Sequence, residues 1–296
     1  MRVAVVGATG TIGSPLVAAL AEAGHDVVAV SRNPPDPGTD DRIARVPANA
    51  SDEPAIARAL AGIEVVYHLV HSLGQPDFEA ADRAAARAVA AGAAAGGAKQ
   101  IVYLGGLADE RDDLSPHLRS RAETARLLAD GPVPVTTLGA AMIIGEGSAA
   151  FETILALVAR LPVMICPRWV SVETQPVALA DVVGALVAVA GRESTFGESY
   201  DVGGPEVMTY RSMLERTARL RGKRPLLIEV PFLTPRLSSL WLYLVTPVGA
   251  RVARPLVEGL KVSTVAREER IWELVPAART PFDDAVEEAL RHRSGG

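Results

Sequence analysis

Two side chains able to handle protons and anions stand four residues apart in "SPHLRSRAE", residues 115–123. That spacing puts His117 and Arg121 on one face of a helix. A histidine there can serve as a general acid near neutral pH, and the fork of donors on Arg121 can hold ribose or phosphate oxygens. The fixed charge of Arg121 lowers the pKa of the imidazole, which weakens His117 as a proton source. The other assignment is that the pair only shapes a pocket or supports the helix start marked by Ser115 and Pro116.

A second polar cluster is "YHLVHSLG", Tyr67 to Gly74, at the end of an apolar run. In open α/β sheets the ligand crevice lies beyond the strand ends, so His71 and Ser72 are placed to touch cofactor or substrate, or else to satisfy loop backbone groups. His68 and His71 are three apart without the further ligands a metal needs, so no metal site is expected.

The third group is "VVGATGTIG", residues 5–13, which follows an apolar run and opens a helix running to Gly24. Gly7 permits a tight turn, Gly10 lets backbone approach a pyrophosphate, and Gly13 lets helix and strand pack closely. With Thr9, Thr11 and Ile12 they form a GxxGxxG loop suited to a dinucleotide. About 20 residues further on, where an NAD site usually places an acid for the ribose 2′-OH, the sequence delivers Ser31 and Arg32. Arg32 can pair with a 2′-phosphate, which favours NADPH over NADH; its alternative is to face solvent. Asn49 can offer its amide to an adenine edge, and Asp52 caps a helix beginning around Pro54.

The elements that must hold these residues read as strands alternating with helices. Apolar runs of strand length lie at Arg2–Val6, Asp26–Val30, Glu64–Leu69, Gln100–Leu104 and Val135–Leu138, with Ala-, Leu- and Arg-rich stretches between. Alternation of this kind predicts an α/β Rossmann fold, a doubly wound parallel sheet with helices on both faces. The Ala-rich stretch 80–100 reads as a crossover helix with Arg83 and Arg87 one turn apart, ended by Gly96 and Gly97. After about residue 145 the pattern loosens into a helix near 149–161, an extended "WVSVETQPVAL" and a helix after Asp181. The chain therefore divides into a dinucleotide-binding core, 1–145, and a smaller substrate lobe, 146–296, interleaved with the last strands of the sheet.

Bulk properties bound the function. The 296 residues are 49% hydrophobic, 22% charged and 4% aromatic, a composition able to build a large core packed by Ala and Val. A net charge of −5 argues against a nucleic-acid partner. The single cysteine, Cys166, fits a reducing compartment, and no charged-then-apolar leader precedes Val3, so a cytoplasmic location is expected. In Leu237–Leu256 the uninterrupted apolar core, Leu240 to Val245, is far shorter than the roughly 20 residues of a spanning helix. That segment reads as a buried or lid helix, or as a contact with a membrane surface or another subunit; a homo-oligomer fits the last.

The GATGTIG loop, "VVYHLVHSLG", "IVYLGGL" and "SPHLRSRAE" together resemble the atypical short-chain dehydrogenase/reductases, the NAD(P)H-binding group that includes nitrogen-metabolite-repressor-like regulators. "ARLPVMICPRWV", "QPVALADVV" and "LTPRLSSLW" are similar to a bacterial branch whose members often append a START-like domain, for which "TPFDDAVEEAL" leaves no room here. The resemblance implies a Rossmann core, a nicotinamide cofactor and a C-terminal substrate lobe. In catalytic members a YxxxK helix supplies Tyr as proton donor and Lys for the ribose, with a hydroxyl residue after the preceding strand. Here His117 falls at the Tyr position, Arg121 at the Lys position, and the strand end reads Gly105 to Leu107 with no hydroxyl. The same resemblance puts Leu69, Val70, Gly105 and Ala141 against the cofactor. Tyr210, Trp169 and Trp241 line a substrate pocket or pack in the core.

Three functions follow. The first is an NADPH-dependent reductase of a carbonyl, imine or activated C=C bond in a small molecule. The second is a non-catalytic NAD(P)H sensor, which suits the missing Tyr, Lys and hydroxyl. The third is a dehydrogenase-like accessory or assembly subunit.

Overall fold

The computed structural model describes residues 1–35, 40–72, 74–75, 77–107, 114–230 and 261–294. The nucleotide half alternates β1 (Arg2–Val6), α1 (Gly13–Glu22), β2 (Asp26–Ser31), β3 (Ile43–Pro47), α2 (Glu53–Ala59), β4 (Val65–His68), α3 (Phe78–Gly96), β5 (Gln100–Gly106), α4 (Pro116–Ala129) and β6 (Val135–Ala140). After β7 (Ile143–Ile144) come α5 (Ala149–Arg160), β8 (Val163–Pro167), β9 (Glu173–Thr174), β10 (Val177–Ala178), α6 (Leu179–Ala188) and β11 (Ser199–Val202). The remaining elements are β12 (Met208–Thr209), α7 (Tyr210–Leu220), β13 (Leu226–Val230) and α8 (Phe282–Ser294).

The main sheet has seven strands in the order β11-β6-β5-β4-β1-β2-β3, every pair parallel. This is the Rossmann arrangement expected from the alternation. Its strands read as near-continuous apolar runs because both faces are covered. One face packs Val3, Val5 and Tyr67 against Leu16 and Leu20 of α1 and Val182 and Leu186 of α6. The other packs Val66, Ile101 and Tyr103 against Ile56 of α2, Ala86 and Val89 of α3, and Leu128 of α4. A separate core, around Phe151, Leu155, Met213, Leu214 and Val286, holds the C-terminal lobe together.

The chain past residue 146 does not stay in that lobe. α6 returns to cover α1, and β11 completes the sheet beside β6, pairing Ser199 with Thr137 through Val202 with Ala140. The buried Tyr67 hydroxyl donates to the Leu186 carbonyl at 3.1 Å, tying the middle of the sheet to α6.

Two glycines explain the Ala-rich helix. Gly97 adopts φ +79° and caps α3, as a residue without Cβ can. Gly96 is the last helical residue, and a Cβ there would lie 2.2 Å from the Leu60 carbonyl oxygen. The "WVSVETQPVAL" stretch is not uniformly extended. Arg168–Ser171 form a 3-10 turn before the two short strands β9 and β10, a turn too brief for periodicity to mark. The helix expected after Asp181 begins at Leu179, and Asp181 instead accepts from the Thr280 amide and hydroxyl at 2.8 and 2.9 Å. The segment Leu237–Leu256, including Trp241, lies outside the described residues. Among the described residues no helix is long and apolar enough to cross a membrane.

Candidate functional site

The order of the sheet reverses between β1 and β4, whose connections run to opposite sides, and ligands of open α/β sheets bind beyond the strand ends at such a point. A cleft of about 570 Å3 opens there. Its lining includes Gly7, Thr9, Gly10, Ser31, Arg32, Asn49, Leu69, Val70, His71 and Ser72. The structure thus brings ten of the residues singled out in the sequence to one surface.

Steric facts fix the glycine loop. Gly7 has φ +100° and its amide donates to the Val30 carbonyl at 2.9 Å, bending the chain off β1 over the end of β2. A Cβ on Gly13 would sit 2.1 Å from the Gly7 carbonyl oxygen, so only glycine lets α1 start this close to the loop. No side chain caps α1 and its first turn carries no acid. Its N-terminal amides and dipole therefore favour an anion. Ile12 is the residue preceding the first turn and packs against the core beneath α1. The Thr11 hydroxyl is engaged elsewhere: it donates to the Gly147 carbonyl at 2.9 Å and joins the loop to the lobe.

At the end of β2, Ser31 is buried and its hydroxyl has no hydrogen-bond partner among the described residues. Buried hydroxyls are normally satisfied, so a polar ligand atom fits this position. Arg32 is exposed on the rim and pairs with no carboxylate among the described residues. Asn49 uses its carbonyl to accept from the Ser51 amide at 3.2 Å, which turns its NH2 group outward. Asp52 caps α2 by accepting from the Ala55 amide at 3.0 Å. A hydroxyl and a guanidinium without partners among the described residues, and a loop where a Cβ would collide, together fit a dinucleotide.

Beyond this half lies a histidine corner. The His71 and His117 rings meet edge-on with centroids 6.5 Å apart. Ser115 caps α4 through the Leu118 amide at 3.3 Å, with Pro116 in the first turn, which sets His117 at the helix start. Burial, then the Arg121 charge, then His71 lower the His117 pKa to about 3. His71 is exposed toward the cleft, yet the protein around it and then Arg121 lower its pKa as well, while Asp82 acts in the opposite sense. Both rings are neutral at pH 7.

Arg121 does not extend into the cleft. Its guanidinium donates to the Leu104 carbonyl and lies 5.0 Å from the centre of the Tyr103 ring, whose hydroxyl donates to the Arg121 carbonyl at 3.0 Å. Arg121 and Gly105 line a separate groove of about 320 Å3 beside α4. Ala141 follows β6 between buried Ala140 and half-buried Met142, outside the lining of the cleft. Trp169 and Tyr210 meet edge-on at 6.0 Å within the lobe core, so they pack rather than line the cleft.

Sequence reasoning missed Asp82. This buried carboxylate on α3 accepts from the Ser72 amide at 2.8 Å and from the Ser120 hydroxyl at 3.0 Å. Inside an Ala-rich helix its only signal was an acid on a face that otherwise packs.

A family model described as NAD(P)H-binding matches residues 7–133. The chain is 30% identical over 233 residues to (4-alkanoyl-5-oxo-2,5-dihydrofuran-3-yl)methyl phosphate reductase of Streptomyces griseus, covering 76% of this chain and 75% of that protein. Among solved structures, a nucleoside-diphosphate-sugar epimerase from Staphylococcus aureus superposes with a TM-score of 0.77 at 15% identity, covering 97% of this chain and all of that one. MoeE5, solved with UDP-glucuronic acid and NAD, gives 0.75 at 21% identity, over 99% of this chain and 100% of its own. The glycine loop, the family model and the reductase likeness agree: the chain belongs to the NAD(P)H-binding family of Rossmann oxidoreductases.

Proposed function

We propose that this protein is an NADPH-dependent reductase that delivers hydride to a carbonyl, an imine or an activated C=C bond of a small organic molecule. The observation that carries this reading is the pair at the end of β2: orphaned Ser31 beside an Arg32 with no carboxylate partner among the described residues. When bound, the cofactor supplies the hydride. Ser31 holds a ribose oxygen, Arg32 the 2′-phosphate, Asn49 the adenine edge, and the glycine loop the pyrophosphate. Leu69 and Val70 cover the cofactor's apolar surface, while His71, Ser72 and His117 border the reacting end. A neutral His117 gives a proton poorly, which suits imines and activated C=C bonds better than simple carbonyls. The reductase from Streptomyces griseus supports the reaction type.

A second reading, an NAD(P)H sensor related to the nitrogen-metabolite-repressor-like regulators, draws on Arg121. Its guanidinium is held by the Leu104 carbonyl rather than offered to a ligand.

Fluorescence titration with NADPH and NADH tests both. Arg32→Ala is expected to weaken NADPH binding by about tenfold to a hundredfold, the loss of a charge-assisted bond, and to leave NADH nearly unchanged. His117→Ala is expected to keep both affinities. Turnover with imine, enone or carbonyl substrates identifies the reductase. Binding that distinguishes reduced from oxidised cofactor without turnover identifies the sensor, and no binding of either reduced cofactor refutes both.

A further inference from the structure

The corner that borders the reacting end of the cleft is built from two elements whose histidine rings meet there edge-on. His71 belongs to the loop after β4 and His117 to the first turn of α4. One carboxylate joins them. Asp82 accepts from the backbone amide of Ser72, the residue after His71, through Oδ1 at 2.8 Å. Its Oδ2 accepts from the hydroxyl of Ser120, three residues past His117 and next to Arg121, at 3.0 Å.

Helix pairing alone does not call for this group. α3 and α4 are already held by Ala86, Val89 and Leu128 in the core, and by an ion pair between Arg83 and Glu123 at 3.1 Å. A carboxylate that is only 4% exposed carries a desolvation cost that an apolar residue would not. What it adds is direction: a bond to a main-chain amide fixes the path of the loop, and the second oxygen fixes α4 relative to it. It also adds charge. Arg121 bears on His68, His71 and His117 alike, whereas Asp82 opposes it at His71.

We propose that Asp82 is a positioning residue that holds His71 and His117 against each other at the end of the cofactor cleft and supplies the counter-charge to Arg121 there. This rests on reading the cleft as the NADPH site.

Histidine-selective 15N NMR titration and parallel binding of NADPH and 2′,5′-ADP test it on the full chain. Asp82→Asn keeps the size and both contacts, because its amide oxygen still accepts from Ser72 and the Ser120 hydroxyl can turn to accept, so charge alone is removed. The His71 pKa then falls below its wild-type value. Ser120→Ala cuts only the arm to α4. The His117 resonances shift, while NADPH affinity stays within about twofold, as expected for His117→Ala. Affinity for 2′,5′-ADP itself, which occupies the distant Ser31–Asn49 end, stays within about twofold in both variants. An unchanged His71 titration in Asp82→Asn, or unmoved His117 resonances in Ser120→Ala, overturns the proposal. Should the wild type bind neither ligand, the NADPH reading fails and takes the cofactor-end role of Asp82 with it. The histidine titrations then still report whether the tether exists.

Discussion

His68 ends β4 fully buried, stacked on Tyr103 at 5.9 Å, with neither ring nitrogen hydrogen-bonded among the described residues. Burial, then the Arg121 charge, push its pKa down to about 3. An unfolded chain would titrate near the ordinary value of 6.5. The unfolded state therefore takes up the proton first. Stability is fully present above about pH 6.5 and is lost as pH falls toward 3, by a few kcal/mol at this buried site. His117 contributes with the same sign. His68→Phe retains the stacked ring and removes the titration, so its stability in urea should depend less steeply on pH between 6.5 and 4. An unaltered slope would refute the assignment. At this scale legibility was uneven. Gly7, Gly10 and Gly13 were readable because sterics leave few residues for those positions. His117 and Arg121 were readable as neighbours, but the engagement of Arg121 by the Leu104 carbonyl depends on a strand from elsewhere in the chain. Asp82 was silent because its partners lie 10 and 38 residues away.

Helices α2 and α3 approach so closely that glycine is required where they meet. A Cβ on Gly96 would collide with the Leu60 carbonyl, and one on Gly92 would press on Ile56 and Leu60 at 3.1 and 3.2 Å. Gly96→Ala should cost about 1–3 kcal/mol through overpacking, seen as a lowered melting temperature, while affinity for the nicotinamide cofactor is retained because the contact is far from the cleft. A melting temperature equal to wild type would show that the helices can part without penalty. The sheet strands were legible in sequence because burial on both faces leaves uninterrupted apolar runs. β5 runs two residues further than Gln100–Leu104, through Gly105 and Gly106, whose lack of side chains hides them from any hydrophobic pattern. The 3-10 turn at Arg168–Ser171 was unreadable for a similar reason, since one turn has no period.

Across the whole molecule, the chain beyond residue 145 builds a core of its own and lends α6 and β11 to the first. An interleaved lobe is the expectation from sequence; which late elements cross over is not recorded in local periodicity. The lobe is also tied internally by Arg216, which pairs with Glu206 on one side and Asp283 on the other and lies over the Phe282 ring. The return of α6 and β11 to the first core bears on how the chain acquires its structure during synthesis. Strand β11 ends at Val202, so a ribosome must release some two hundred residues before the sheet has its last neighbour and α1 has its cover. Until then Tyr67 lacks the Leu186 carbonyl that its hydroxyl meets, and the part of the first core completed by Val182 and Leu186 of α6 faces water or a chaperone, which makes the emerging half aggregation-prone. A fragment of residues 1–145 should accordingly lack a cooperative thermal transition by circular dichroism, and a sharp transition would mean that the first six strands fold alone. The nucleotide-binding half of this protein thus comes first in the sequence yet reaches completion late.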